Sequence, residues 1–372
     1  MNEVLKNIYT VNLGVNRDER ALVFTDLIRD TEKVEPLERK KREDLRKIAR
    51  EVAEAGKGLC EVSLLEFPSV EGHGKEPPKE LWAAAFGERA VKELEDEGLL
   101  GKILDKSIYD IDEVRSAERL IDEFGKSPDV IIALSNFSTS HTRFRSYLTR
   151  LKRVRYASMP LFERSMIGGA MTADWNKVAS RTNRLVEMMS GGDTVVVTSH
   201  NGTSISFSMQ RREVQPDTGI LTKPGSFGNL PAGEAFLAPV EGTAEGTLIL
   251  EWSPTEKLRE SITLEVTGGK VVKVTGGDRY AEELRGKLAL HPLMGNIAEL
   301  GIGTNDMASR PDNILETEKI LGTVHIALGD NSSFGGRVSV PFHQDFIFFR
   351  PTLEVFKRGE KTELIIDGEP KF

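Results

Sequence analysis

Ala21-Leu22-Val23-Phe24-Thr25, then a charged amphipathic stretch over 36–55, then Leu59 to Leu65, sets the fold class. The first run is short and apolar, which reads as a strand. Within 36–55, Leu37, Leu45, Ile48 and Val52 fall on one stripe at helical spacing, and the third run reads as a strand again. Helical stretches near 79–96, 112–124 and 141–152 bracket Asp129 to Leu134, and a helix near 172–189 precedes Thr194 to Thr198. Alternating strands and helices imply a parallel sheet with helices on its faces. Beyond about residue 190 the texture changes to strands and glycine turns, and Ile262 to Val266, Gly268-Gly269 and Val271 to Val274 form a strong hairpin signal. We therefore expect an α/β protein: an open, mainly parallel α/β domain over 1–190 and a β-rich α+β domain over 191–372, divided near Gly191-Gly192.

Composition narrows the partners. With 39% hydrophobic and 29% charged residues, the 372-residue chain has the balance of an ordinary globular protein, long enough for two domains. A net charge of −8 argues against nucleic acid or an anionic membrane as the main partner, because both call for a concentrated basic patch. Arg39-Lys40-Lys41-Arg42 is flanked by Glu38, Glu43 and Asp44 and reads as a solvated helix face. The single cysteine, Cys60, excludes an intrachain disulfide and a thiolate zinc cluster, and is expected in the core. No apolar run approaches the ~18–20 residues of a membrane span, and the N-terminus lacks a signal-peptide pattern, so a cytoplasmic location is expected.

The chemistry concentrates in the last third. His325-Ile326-Ala327-Leu328-Gly329 and His343-Gln344-Asp345 carry two of the six histidines, each beside a strand-like run. Side chains at i and i+2 of a strand share a face, so His343 and Asp345 present an imidazole and a carboxylate together, a metal-ligand pair. Glu234 and Glu299 are acids set in apolar or glycine-rich segments, where a carboxylate seldom sits without a partner. Taken singly, each residue has a plainer explanation: His325 as a buried histidine satisfied by a backbone carbonyl, Glu299 as a strand-edge carboxylate paired with an arginine, Glu234 as a cap on the turn after Pro231. Gly301-x-Gly303 lacks the third glycine of a dinucleotide fingerprint, and neither a P-loop nor His-Glu-x-x-His occurs. Ser199-His200-Asn201 fits a turn cap better than a nucleophile beside its base. His73 is expected in a solvent-facing loop. His141 lies where it caps a helix or lines a cleft, and His291 is an outside candidate for the cavity of Glu299.

Asn229 to Pro239, Glu299 to Asn305, His325 to Gly329 and Ser339 to Asp345 together resemble the aminopeptidase T and aminopeptidase S family of metallopeptidases, most clearly over about 225–350. The resemblance implies a metal-binding domain packed on an α/β domain, a homodimer, and removal of N-terminal residues from a peptide substrate. It implies metal ligands Glu234, Glu299, His325, His343 and Asp345. Three carboxylates and two neutral imidazoles would hold two divalent ions, Zn²⁺, Co²⁺ or Mn²⁺, at a net +1, a charge that favours bound hydroxide as nucleophile. Glu234 would bridge the two metals. Phe334 and Phe342 would line an apolar pocket, although phenylalanines flanking strands usually belong to the core.

One position departs from the peptidase pattern. That family carries a tyrosine seven residues after the histidine of the His-Ile-Ala-Leu-Gly motif; here Ser332 stands there, and none of the five tyrosines follows the motif. Losing one oxyanion donor typically costs ~10²–10³ in rate. Arg337 or a serine hydroxyl is the candidate replacement. The scaffold is also similar to dihydroxypyridine ring-cleaving dioxygenases, which hold one Fe²⁺ with two histidines and an aspartate; His343, Asp345 and either His291 or His325 would form that triad. A third alternative is a non-catalytic metal-dependent binding protein.

Overall fold

A computed structural model of the chain describes residues 2–254 and 256–372. The chain divides into two compact units, one of Met1–Thr172 with Gly219–Pro231, the other of Ala173–Thr218 with Ala232–Phe372.

The first unit is built on a parallel sheet of β1 (Arg20–Leu27), β2 (Glu61–Pro68), β3 (Val130–Ala133), β4 (Arg155–Ser158) and β8 (Phe227–Asn229), in the order β2-β1-β3-β4-β8. The helix Pro36–Gly56 crosses from β1 to β2 and buries Leu45, Ile48 and Val52, at about 1.5–3 kcal/mol for each fully buried side chain. Proline at its first position costs nothing, since that N–H has no helical partner. Leu37, expected on the same stripe, is 68% exposed, because it lies in the first turn, before the segment that packs. The single helical stretch expected over 79–96 is two helices, Lys79–Phe86 and Glu88–Asp96, broken at Gly87, whose φ of +85° suits glycine. Cys60 is buried, as expected.

The second unit is antiparallel. One sheet runs β12-β11-β10-β6-β5-β16-β17-β18, made of β5 (Thr194–Ser199), β6 (Ser204–Ser208), β10 (Glu245–Trp252), β11 (Lys257–Thr267), β12 (Lys270–Thr275), β16 (Pro351–Lys357), β17 (Glu360–Ile366) and β18 (Glu369–Pro370). The other runs β15-β14-β13-β9-β7, made of β7 (Gln215–Asp217), β9 (Glu234–Leu237), β13 (Ile297–Gly303), β14 (Val324–Gly329) and β15 (His343–Phe348). Buried residues of both sheets form one apolar core, to which the helix Trp175–Met189 adds Leu185 and Met189. The β11–β12 hairpin turns on Gly268 and Gly269, both at positive φ (+57° and +78°), the conformation a two-residue turn demands.

The parallel α/β sheet and the β-rich region agree with the fold class expected. The partition along the chain is less simple. Gly191-Gly192 forms the turn into β5 inside the second unit, because the preceding helix packs against β7 and β9. Residues 219–231 return to the first unit, where Phe227–Asn229 completes the parallel sheet beside β4. A three-residue strand carries too little periodicity to be seen in sequence.

Candidate metal centre

The site grows out of strand periodicity. On β9, β13, β14 and β15 the core takes Ala235 and Leu237, Leu300 and Ile302, Val324, Ile326 and Leu328, and Phe346 and Phe348. The alternate positions face the other way, and they include Glu234, Glu299, His325, His343 and Asp345. All five residues expected as ligands thus project from one face of one sheet.

Register makes room for them. Across the ladder Gly301 lies opposite His325, Ala327 opposite both Glu299 and Asp345, Gly329 opposite His343, and Gly303 opposite Glu234. Directly opposed Cβ atoms are ~4.5–5.5 Å apart, so the absent side chain at Gly301 lets His325 lie across the strand, whereas Gly303 and Gly329 make room for the Ile320 and Phe342 backbone. Gly301 is the tightest case, since a Cβ there would land on the His325 imidazole. The Gly301-x-Gly303 pair is therefore packing space and not a nucleotide loop. Gly301→Ala is expected to displace His325 and weaken metal affinity by about 10–100-fold, the usual cost of disturbing a ligand's support, with every donor residue intact. Calorimetric titration with Co²⁺ checks this; unchanged affinity would show that His325 has no part in binding.

Five groups form a chain of four close contacts. His325 Nε2 stands 3.5 Å from Glu234 Oε2 and 3.5 Å from Glu299 Oε1. His343 Nε2 stands 3.4 Å from Glu299 Oε2 and 3.5 Å from Asp345 Oδ1. These spacings are long for hydrogen bonds, but they match donors that each lie ~2.0–2.2 Å from a shared ion. Glu234 Oε2 and Asp345 Oδ1 are buried and accept no hydrogen bond among the described residues, the state of a ligand atom awaiting a cation. His343 Nδ1 donates to the carbonyl oxygen of Asp330 (2.7 Å), which turns Nε2 toward the carboxylates, where it would bind an ion once its proton is lost. Glu299, His343 and Asp345 are mutually close enough to share one ion, with His325 joined to them through Glu299.

The electrostatics suit a cation. Burial pulls both imidazoles down, yet the neighbouring carboxylates win: His325 is pushed up to about 9, by Glu299 first and then the charges of Glu234, Asp345 and Glu318, and His343 is held well above its usual value by Asp345 and Glu299. Burial raises Asp345, but the charge of His343 beside it more than offsets this and holds the carboxyl below its ordinary range. Without metal, the cluster therefore keeps protons on its histidines to neutralise its acids.

Two residues that the sequence did not single out complete the site. Lys319 is wholly buried, with its ammonium 2.6 Å from Glu234 Oε1 and 3.0 Å from Glu318 Oε2. Burial lifts the Glu318 carboxyl well above the carboxylate range despite Lys319 beside it. The argument that marked Glu234 and Glu299, charge inside an apolar stretch, applies equally to Glu318-Lys319 between Ile314-Leu315 and Ile320-Leu321. A cavity lined by Pro254, Ile314, Ile347 and Thr317 opens onto Glu318, His325 and Asp345.

Other candidates lie elsewhere. Arg337 is exposed, its backbone N–H donates to Glu241 Oε1 (2.7 Å), and among the described residues no hydrogen bond or ion pair joins its guanidinium to the cluster. Ser332 spends its N–H and hydroxyl on Asp330, as a turn residue does (3.1 and 3.0 Å). His291 is exposed at the end of the helix Arg279–Leu290, where its Nδ1 accepts from the Leu293 N–H (3.2 Å). His141 is exposed in the first unit. His73, also exposed, accepts there from the Ser138 N–H at Nδ1 (3.1 Å). Asn201 caps its turn through the Thr203 N–H (3.0 Å). Phe334 meets the His343 ring edge-on with centroids 5.9 Å apart, whereas Phe342 packs against the core.

Comparison with known proteins separates the two metal chemistries. A family model described as NicX, 2,5-dihydroxypyridine 5,6-dioxygenase, matches residues 126–357. The 2,5-dihydroxypyridine 5,6-dioxygenase of Pseudomonas putida strain KT2440 is 30% identical in an alignment 143 residues long that covers 34% of this chain and 41% of that relative. The aligned part thus spans less than half of the relative's length. Among solved structures, the 2,5-dihydroxypyridine dioxygenase of P. putida KT2440 superposes with a TM-score of 0.68 at 17% identity, covering 99% of this chain and 96% of that one. Wild-type AmpT of Thermus thermophilus superposes with a TM-score of 0.56 at 15% identity, covering 100% and 98%. At such identities these two structures share the fold. The expectation of an aminopeptidase, and of a hydrolase at all, is overturned by the family match and by the P. putida relative: what the chain shares with AmpT is architecture.

Proposed function

This chain belongs to the 2,5-dihydroxypyridine 5,6-dioxygenase family, and on that premise we propose that it is an iron(II)-dependent dioxygenase that opens a dihydroxylated pyridine ring. The observation that carries the proposal is the cluster of Glu299, His343 and Asp345, within the matched region, in which Asp345 Oδ1 is buried and accepts no hydrogen bond among the described residues. Those three residues, with His325 joined to them through Glu299, would hold the iron. They offer oxygen and nitrogen donors without thiolate, as non-haem iron(II) sites do. When bound, iron supplies the one-electron chemistry through which dioxygen reacts.

The chain's own residues would do the rest. His325 and Glu299 are only 1% and 8% exposed, so bulk water is excluded from the inner side of the site. Pro254, Ile314 and Ile347 give that cavity apolar walls beside the cluster. Glu318 opens on that same cavity with its carboxyl pushed up to about 8, and its Oε atoms would exchange protons with the ring hydroxyls.

The test is oxygen consumption. Protein purified without air, loaded with Fe²⁺ and given 2,5-dihydroxypyridine should take up about one dioxygen per ring as the ring absorbance disappears. Folded, iron-bound protein that consumes no oxygen with this substrate would defeat the proposal.

A further inference from the structure

We infer that Lys319 stands in the place of a second cation and so limits this centre to one metal ion per chain; the inference builds on the proposed metal site above. A carboxylate that bridges two metals places one oxygen on each. Glu234 has the posture of such a bridge, but its two oxygens serve different partners: Oε2 faces His325 at 3.5 Å, on the rim of the metal cluster, and Oε1 faces the Lys319 ammonium at 2.6 Å. The far side of the bridge therefore already holds a positive charge, covalently tied to the chain.

That charge cannot readily step aside. Lys319 has no exposed surface, and its backbone is fixed on both sides, its N–H donating to the Glu316 carbonyl (3.0 Å) and its carbonyl accepting from the Asn305 N–H (2.9 Å). Glu318 takes a second contact at 3.0 Å. Asp217, the register partner of Glu234 on β7, adds a third carboxylate nearby. Three acids around a buried ammonium are the company a divalent ion would keep. A metal bound to Glu234 Oε1 would have to sit ~2.0–2.2 Å from that oxygen, in the space the ammonium fills and against its charge. The two-metal expectation drawn from the five donors overlooked this lysine.

Metal counting tests the inference, with Co²⁺ as probe and elemental analysis after desalting. Wild-type protein should hold about one cobalt per chain even with the ion in large excess, and Lys319→Met should hold about two. The second cobalt should couple magnetically to the first through Glu234 and weaken the electron paramagnetic resonance signal per cobalt. Lys319→Arg, which keeps the charge, should stay at one. If Lys319→Met does not fold, Lys319→Met with Glu318→Leu also removes one of the buried acids left without its counter-charge and carries the same expectation. Two cobalts in the wild type, or one in a folded lysine-free variant, would overturn the inference. Oxygen uptake is a separate readout: one cobalt per chain with iron-loaded protein inert toward the pyridine would end the dioxygenase proposal and leave the role of Lys319 standing.

Discussion

His343→Ala is expected to lower metal affinity by more than about 10²-fold and to abolish oxygen uptake with it, since disturbing only the supports of a ligand already costs 10–100-fold. The imidazole lies within 3.5 Å of both Glu299 and Asp345, and its Nδ1 anchor on the Asp330 carbonyl aims it there. Its side chain is about one-third exposed, so truncation leaves little cavity, and the folded circular dichroism spectrum should persist. The metal-free variant should nonetheless melt earlier, because Glu299 and Asp345 lose their counter-charge. Titration calorimetry with Co²⁺ decides the matter. Affinity within a few-fold of wild type would remove His343 from the ligand set.

Removing the metal should reverse the direction in which stability changes with pH. In the metal-free protein His325 is raised to about 9 and His343 well above 6.5. A group whose pKa rises on folding contributes stability that is complete below its unfolded value, ~6.5 for histidine, and is lost as pH climbs through the folded value. Chelator-treated protein should therefore melt at progressively lower temperature between about pH 6.5 and 9. Metal-loaded protein should do the opposite over the same window, because protons compete with the ion for both imidazoles and binding strengthens as they leave. At free metal 100 times Kd the gain is about 2.7 kcal/mol. Melting curves at several pH values, with and without chelator, test the crossing; parallel curves would mean that these histidines do not change protonation on metal binding.

The sequence reveals most where side-chain period is strict. Buried strands such as β14, with Val324, Ile326 and Leu328 facing the core, fix His325 on the opposite face, and the i, i+2 spacing of His343 and Asp345 does the same on β15. Convergence of these with Glu234 and Glu299 follows once the strands pair in register, and motif order anticipates it. Lys319 escapes because it sits outside any strand, in a segment with no period to declare which way it points. Phe227–Asn229 escapes because three residues added to a sheet from far along the chain leave no local trace. Arg337 and His291 looked plausible by proximity in sequence, but both are exposed. The family was misjudged for a chemical reason: carboxylate and imidazole donors serve a hydrolytic metal and a redox metal alike, so the ligand pattern alone is silent on the reaction. Ser332 in place of a tyrosine was the residue that argued against peptide hydrolysis.

The most direct test of the dioxygenase account is the fate of labelled oxygen. Iron-loaded protein turning over 2,5-dihydroxypyridine under ¹⁸O₂ should deliver both labelled atoms to the ring-opened product, seen by mass spectrometry as a gain of about 4 mass units over the same reaction in ordinary oxygen. Product that takes its new oxygen from labelled water and none from the gas would mean a hydrolytic centre, and would contradict the account.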